Sequence, residues 1–517
     1  MLRPADAVAH EADDAQPAAP FAFEEATVAD LQARMESGAL TSRALTQAYL
    51  TRIAAIDKAG PTLRSVIEVN PDALAIAAER DAERKAGKVR GPLHGIPVLV
   101  KDNLDTADKM QTTAGSLALV GKPAPKDAFV VEKLRAAGAV LIGKTNLSEW
   151  ANFRSTHSSS GWSARGGQVK HAYVLDRNPC GSSSGSGTAI AANLATVGIG
   201  TETDGSIICP SSIGGIVGLK PTVGLVSRAG IIPISASQDT AGPMCRTVRD
   251  TALVLQAIAG RDPRDSATQA APAAVPDYLS GLKPDALKGA RIGVARHLAG
   301  FHTKVDAVFE QALDALKRAG AVLIDPVTVP NVGKYDEAEN IVLQYEFKDG
   351  LNAYLASRGA TAAHKSLAAL IAFNRNDAAR EMPWFGQEIF EQSEARGPLT
   401  DRAYVEALAT CRRLSRAEGL DALFAQHKLD AIVAPSNGPA WTTDLVNGDH
   451  FGGGNTSVAA VAGYPSLTVP MGYTSALPLG LSFTGLAWTE AKLLAYGYAF
   501  EQATKARKAP RFLRTIG

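Results

Sequence analysis

GIPVLVKDN (residues 95–103) and GAVLIGKTN (residues 138–146) are the two stretches that decide the fold class of this chain. Each holds a short run of apolar, mostly β-branched residues, which is typical of a buried strand. The first run, Ile96–Val100, ends directly at Lys101. A helical pattern over 127–137 separates the two runs, and strands that alternate with helices predict an α/β layered fold.

The same alternation continues along the chain. Further strands are predicted near 291–295, 431–434 and 467–470, and further helices near 27–40, 41–56, 71–88, 188–195, 303–319, 337–356, 401–426 and 489–505. No internal repeat and no long linker interrupts the pattern. We therefore expect a flexible N-terminal tail, residues 1–22, because it is rich in Ala, Asp and Pro, followed by a single domain, residues 23–517.

Composition excludes several classes of function. The 517 residues include 53 Lys and Arg against 52 Asp and Glu, so the net charge is +1. Such a balance provides no overall field that would attract nucleic acid or an anionic membrane surface. Hydrophobic residues make up 46% and charged residues 20%, which excludes a wholly disordered chain. No run approaches the ~20 apolar residues that span a bilayer.

The cysteines and the N-terminus bear on the compartment. Cys180, Cys209, Cys245 and Cys411 show no regular spacing, which predicts neither a disulfide framework nor a cysteine zinc site. Residues 1–20 contain no apolar segment of the signal-peptide kind, so a cytoplasmic location is expected. The Ala-x-Ala pattern at 7–9 leaves open that a signal was trimmed and that the protein is periplasmic or secreted.

Three short motifs match known patterns but fail on physical grounds. Residues 138–145 satisfy the phosphate-loop pattern, yet the residues between the glycines favour a strand over a backbone cradle. Residues 181–185 match the nucleophile elbow of α/β-hydrolases, but the preceding residues 177–180 are a poor strand. Ser280 and Lys283 match the Ser-x-x-Lys pair, but Gly281 and Pro284 disfavour the helix that this pair needs.

Three motifs remain: the lysine strand ending at Lys101, the loop CGSSSG at 180–185, and GTETDGS at 200–206. GGIVGLKPT at 214–222 and DTAGP at 239–243 follow in the same order. With these motifs the chain resembles the amidase signature family over about residues 25–505. The resemblance implies a large, mixed, twisted β-sheet covered by helices on both faces, and hydrolysis of amides through an acyl-enzyme.

The resemblance also implies the catalytic residues. Ser206 would attack the amide carbonyl, Ser182 would pass its proton on, and Lys101 would accept it. A serine hydroxyl needs a base, and a lysine serves as one only when neutral, which burial at the end of an apolar strand favours. The family places a cis peptide before the bridging serine, here Gly181–Ser182.

By the same resemblance, backbone N–H groups stabilise the oxyanion, and two neighbouring side chains support the site. The N–H groups are those of Thr203, Asp204, Gly205 and Ser206, and the supporting side chains are those of Ser183 and Thr201. At two positions before Ser206, Glu202 and Asp204, this chain differs from the sequence that is usual in the family. A carboxylate that pointed at the oxyanion would be unfavourable, so we expect Asp204 to point away.

Motif detail favours the branch of the family that releases ammonia from the C-terminal amide of peptides. The helix around Glu346–Tyr354 and the segment Trp441–Phe451 are expected to supply pocket walls. Three alternatives remain open: the glutamine-hydrolysing A subunit of a glutamyl-tRNA amidotransferase, a broad-specificity aliphatic or aryl amidase, and a non-catalytic binding protein. We expect no metal, no organic cofactor, no nucleic acid and no obligate protein partner; the substrate would be a small-molecule or peptide amide.

Overall fold

A mixed sheet of eleven strands runs through the computed structural model, which describes residues 21–516. Most of the predicted N-terminal tail, residues 1–20, lies outside the described residues. The strands that form the sheet are β1 (Val66–Val69), β2 (Pro97–Lys101), β3 (Val140–Thr145), β6 (Val197–Glu202), β7 (Val217–Lys220), β8 (Thr240–Cys245), β9 (Arg291–Val294), β10 (Val322–Ile324), β11 (Ala431–Pro435), β12 (Ser466–Thr474) and β13 (Leu477–Thr484). The small strands β4 (Trp162–Ser163) and β5 (Gly167–Gln168) form a separate hairpin.

Helices surround the sheet, which confirms the expected α/β architecture. They are α1 (Val28–Glu36), α2 (Ser42–Arg52), α3 (Ala73–Lys85), α4 (Phe129–Ala136), α5 (Ser184–Ala191), α6 (Ile208–Ile213), α7 (Val248–Ile258), α8 (Thr303–Arg318), α9 (Asp336–Ser357), α10 (Leu367–Asn376), α11 (Ala378–Glu381), α12 (Glu388–Glu394), α13 (Arg402–Arg412), α14 (Asp421–His427), α15 (Thr456–Ala462) and α16 (Glu490–Thr504). Two π-helical segments, Ile53–Lys58 and Arg413–Leu420, extend α2 and join α13 to α14.

The strand order is β1-β3-β2-β6-β8-β7-β12-β13-β11-β9-β10. The lysine strand β2 lies between β3 and β6 and is parallel to both. Because the carboxyl ends of parallel strands meet at one edge, the end of β2 at Lys101 comes close to the end of β6 at Glu202. Parallel neighbours on both sides also bury β2 completely, as its continuous apolar sequence predicts.

Three central strands that the sequence pattern did not predict begin within the Gly- and Ser-rich segment 161–242: β6, β7 and β8. Glycine weakens strand patterns, but here it allows close packing. A Cβ on Gly198 would lie 2.8 Å from the Ile190 side chain of α5, and one on Gly200 would lie 2.8 Å from Ser183 Oγ. The helix expected over 188–195 is α5, and it begins four residues earlier, at Ser184.

One expectation about the cysteines is wrong. Cys180 and Cys209 form a disulfide, with their Cα atoms 6.0 Å apart. Their separation of 29 residues carries no pattern, and only the packing of α6 against the loop before α5 brings the two together. Cys245 and Cys411 are free and buried. Within residues 21–516, no helix is long and apolar enough to cross a membrane.

Candidate active site

Lys101 is the last residue of β2, and its side chain is completely buried. Lys101 Nζ donates hydrogen bonds to Ser182 Oγ at 2.8 Å, to Thr201 Oγ1 at 2.9 Å and to the Thr201 carbonyl at 3.3 Å. Burial lowers the pKa of Lys101 from 10.5 to about 7, against the opposing charges of Asp239 and Glu202. A substantial fraction of this lysine is therefore neutral near neutral pH and able to accept a proton.

Ser182 lies in the loop that leads into α5, directly after a cis peptide bond between Gly181 and Ser182. The cis bond expected from the family resemblance is therefore present. The next residue fastens this loop to β6: Ser183 Oγ donates to the Thr201 carbonyl at 3.0 Å and accepts from the Thr201 N–H at 3.2 Å. Ser183 and Thr201 thus hold the bridging serine beside the lysine.

Ser206 follows the end of β6 and precedes α6. The Ser183 N–H donates to the Ser206 carbonyl at 3.1 Å, so the two serine segments are adjacent. Ser206 is 8% exposed, and among residues 21–516 its hydroxyl has no hydrogen-bond partner. The hydroxyl of Ser206 is therefore free to approach a substrate carbonyl, whereas that of Ser182 is held by the lysine.

The backbone around Ser206 offers free donors. Within the described part of the chain, the N–H groups of Thr203, Asp204, Gly205 and Ser206 donate to no protein acceptor. Gly205 has a φ of +78°, a region that favours glycine, and this conformation allows the tight turn between β6 and α6. Free, fixed N–H groups next to a serine hydroxyl are what an oxyanion hole requires.

Glu202, one of the two departures from the family run, braces this turn. Its Oε2 accepts from the N–H groups of Ile207 at 2.7 Å and Ile208 at 2.9 Å. The carboxylate thus occupies the two donors that follow Ser206 and keeps them from competing for the substrate. Burial raises the pKa of Glu202.

Asp204, the other departure, is turned toward α15. Its Oδ2 accepts from Ser457 Oγ at 2.5 Å, as expected for a side chain that points away from the oxyanion. Burial raises the pKa of Asp204. On the other side of the turn, Thr203 Oγ1 donates to Asp239 Oδ1 at 2.5 Å. Asp239 Oδ2 in turn accepts from the N–H groups of Ile234 and Ser235, each at 2.8 Å.

A cavity of about 360 Å³ adjoins the site and shares Asn103, Thr201 and Thr203 with it. Its apolar wall includes Ala151, Ile231, Ile232, Pro233, Ile234, Ala353 and Tyr354. The helix that was expected to supply a pocket wall is α9, and it does line this cavity. No residue of the other expected wall, Trp441–Phe451, lines this cavity; the Trp441 carbonyl instead accepts from the Asn178 N–H at 2.7 Å, near the bridging loop.

Both arginines that line this cavity are paired with carboxylates of the protein. Arg228 donates to both carboxylate oxygens of Asp265, at 2.8 and 2.6 Å, and Arg264 pairs with Glu132 and Asp262. The carboxylates of Asp239 and Glu346 accept hydrogen bonds from uncharged donors. Those of Glu346 come from the hydroxyls of Ser235, Ser237 and Tyr404. Within the described residues, the cavity therefore offers no unpaired cation to an anionic group of a ligand.

Sequence reasoning missed two residues that support the site. Asn103 Nδ2 donates to Thr201 Oγ1 at 2.9 Å, so the hydroxyl that contacts Lys101 is fixed from a second side. Asp239 holds Thr203, and it opens the DTAGP motif that carried part of the family resemblance. Both residues were visible as motif members, but their roles depend on contacts across the sheet.

Comparisons with known proteins agree on the family. A family model described as Amidase matches residues 44–494. The solved structure of native peptide amidase from Stenotrophomonas maltophilia matches with a TM-score of 0.92 and 57% identity, covering 95% of this chain and 99% of that chain. A probable amidase of Arabidopsis thaliana is 44% identical over 95% of this chain and 93% of that protein. The A subunit of the glutamyl-tRNA(Gln) amidotransferase of Chloroflexus aurantiacus is 35% identical over 93% of this chain and 96% of that protein.

Proposed function

The chain belongs to the amidase family and is an amide hydrolase, and we propose that its substrate is the C-terminal carboxamide of peptides. Ser206 is the nucleophile, Ser182 relays its proton, and Lys101 is the base. The products are ammonia and a peptide with a free carboxylate. The enzyme acts without a partner protein, a metal or an organic cofactor.

The proposed reaction starts when Ser206 Oγ attacks the carboxamide carbon. The proton of Ser206 passes to Ser182 Oγ while the proton of Ser182 passes to Lys101 Nζ, 2.8 Å away. The carbonyl oxygen becomes an oxyanion among the free N–H groups of residues 203–206. Catalytic hydrogen bonds often tighten only when the substrate is bound, so the free hydroxyl of Ser206 fits this role.

The tetrahedral intermediate collapses by breaking its carbon–nitrogen bond. The proton stored on Lys101 returns through Ser182 to the departing nitrogen, which leaves as ammonia. Water then attacks the acyl ester on Ser206 by the same relay, and the acid is released. Lys101 thus acts first as a base and then as an acid, which suits a group whose pKa lies at about 7.

The observation that carries the choice of substrate is that both arginines lining the cavity beside the site are already paired with carboxylates. The α-carboxylate of free glutamine would need a cationic partner there, because burying an unpaired charge is costly. Arg228 and Arg264 already have carboxylate partners, and the wall of the cavity is largely apolar. A peptide amide, whose backbone near the reacting group is uncharged, fits such a cavity. The 57% identity to the peptide amidase of Stenotrophomonas maltophilia supports the same choice.

The test is the release of ammonia by the purified chain from three amides: an N-acetylated dipeptide amide, glutamine and an aryl amide. We expect release from the dipeptide amide, none from glutamine, and none from any substrate with Ser206→Ala. The matched control is Ser280→Ala, which removes an exposed serine and should leave the rate unchanged. Release from glutamine alone would favour the amidotransferase activity, and equal release from all three a broad-specificity amidase.

A further inference from the structure

The disulfide between Cys180 and Cys209 encloses most of the catalytic apparatus. Cys180 lies two residues before Ser182, and Cys209 lies three residues after Ser206. The segment closed by this bond therefore contains both serines and the N–H groups of the oxyanion hole. We propose that the disulfide is a positioning element of the active site, which fixes the two serines relative to one another. This inference rests on the catalytic roles proposed above.

The Cys180 end of the bond is coupled directly to the bridging loop. The Cys180 N–H donates to Asn178 Oδ1 at 2.8 Å, and its carbonyl accepts from Ser184 Oγ at 2.6 Å. Cys180 has a φ of +58°, which is unusual for a residue with a side chain. A displacement of Cys180 would consequently displace the loop that places Ser182 against Lys101.

The Cys209 end is coupled to the nucleophile. The Cys209 N–H donates to the Gly205 carbonyl at 2.8 Å, so Cys209 lies one helical turn after the oxyanion turn. Across the gap between the serine segments, the direct backbone bond is that of the Ser183 N–H to the Ser206 carbonyl, at 3.1 Å. The disulfide is thus a covalent link in parallel with this hydrogen bond and with the two that join Ser183 Oγ to Thr201. A misplacement of about 1 Å in a catalytic site costs on the order of a hundredfold in rate.

Reduction would remove this link. The S–S bond accepts two electrons and two protons from a dithiol, two cysteine thiols form, and the dithiol becomes a disulfide. Cys180 and Cys209 are only 6% and 3% exposed, so a reductant has little access to the folded enzyme. Disulfides form and persist in oxidising compartments. The enzyme should accordingly reach full activity only when it folds under oxidising conditions.

The test compares two double variants. Cys180→Ala/Cys209→Ala removes the disulfide, and Cys245→Ala/Cys411→Ala removes the two free buried thiols as a matched control. The first readout is the rate at which a fluorophosphonate labels Ser206, which needs no amide substrate. The second is kcat and KM on whichever amide the wild type hydrolyses. Thermal unfolding is followed in parallel.

We expect the disulfide variant to label and turn over roughly ten- to a hundredfold more slowly, with a nearly unchanged KM, while the control keeps the wild-type rates. Wild-type labelling and kcat in the disulfide variant, with only a lower melting temperature, would overturn the inference, because the bond would then only stabilise the fold. A wild type that labels but hydrolyses no peptide amide would contradict the proposed substrate and leave the labelling comparison valid.

A second experiment does not depend on the variants folding. Wild-type protein is produced in a reducing cytosol and in an oxidising periplasm, and its thiols are counted after denaturation. The inference expects two thiols and full labelling in the oxidised form, and four thiols with slow labelling in the reduced form. Equal labelling of the two forms would overturn it.

Discussion

The pH dependence of hydrolysis should report the protonation of Lys101, because only a neutral amine can accept the proton that leaves the serines. Burial lowers the pKa of this lysine from 10.5 to about 7, partly opposed by the charges of Asp239 and Glu202. An unperturbed lysine is neutral in roughly 3 molecules of 10,000 at neutral pH, whereas a pKa of about 7 leaves about half of them neutral. Burial thus raises the population of the active base roughly a thousandfold.

The folded-state pKa is depressed, so activity is lost as pH falls through it. We expect kcat/KM to rise about tenfold per pH unit on the acid side and to level off about one unit above the pKa of about 7. The assay is ammonia release at low concentration of an N-acetylated dipeptide amide. This substrate has no titrating group, so the pH dependence of kcat/KM reports the pKa values of the free enzyme.

Two controls make this profile interpretable. Circular dichroism at each pH separates titration of the site from unfolding, and Ser206→Ala supplies the baseline of spontaneous hydrolysis. A rate that stays constant between about pH 5.5 and 8, or an inflection at about pH 9 or above, would refute the reasoning. A flat profile would mean that Lys101 is not the base, and an inflection at high pH would mean that its amine is hydrated and keeps a pKa near the ordinary value.

Three further predictions address the support of the lysine, the cavity and the disulfide. Thr201→Val removes a hydroxyl that accepts a hydrogen bond from Lys101 Nζ at 2.9 Å. Because a lost hydrogen bond to a charged group is worth about 1.5–3 kcal/mol, the ammonium form loses stability, the pH profile should move to lower pH, and kcat should fall. An unchanged profile would contradict this. Ala151→Leu adds bulk to the cavity wall, and overpacking by about 1–3 kcal/mol should raise KM for bulky dipeptide amides roughly 5- to 160-fold while sparing propionamide. Equal effects on both substrates would place the acyl group elsewhere. Cys180→Ala/Cys209→Ala opens a loop of 29 residues, which should lower the free energy of unfolding by about 3–4 kcal/mol in denaturant titrations. A loss below about 1 kcal/mol would contradict this loop-closure magnitude.

The sequence predicted those parts of the site that local pattern determines. Lys101 follows a continuous apolar run of the kind that is typical of a buried strand, so the burial of the lysine was foreseeable. The segments holding Ser182 and Ser206 were identifiable as motifs in a fixed order. The structure places Lys101 and Ser182 in contact and brings the Ser206 segment alongside.

What the sequence could not predict depends on distance across the fold. The pairing of Cys180 with Cys209 leaves no spacing signature, because it arises from the packing of α6 against the bridging loop. The role of Asp239 depends on its approach to Thr203 from a neighbouring loop. The sequence pattern did not indicate the strand β6, because Gly198 and Gly200 have low strand propensity. These glycines are needed there because α5 packs closely against the strand. In each case a long-range contact decides what the local sequence leaves open.

The contacts of Lys101 have a consequence for the electrostatics of turnover. Its amine meets two hydroxyls and one carbonyl, and no carboxylate of residues 21–516 is in contact with it. When the lysine is neutral, the three reacting groups carry no formal charge, in contrast to a site whose base is paired with an aspartate. Attack then creates a cation on the lysine and an anion on the substrate together, in surroundings of low dielectric. Their mutual attraction exists only along the reaction path, so it lowers the barrier without tightening the binding of the ground state.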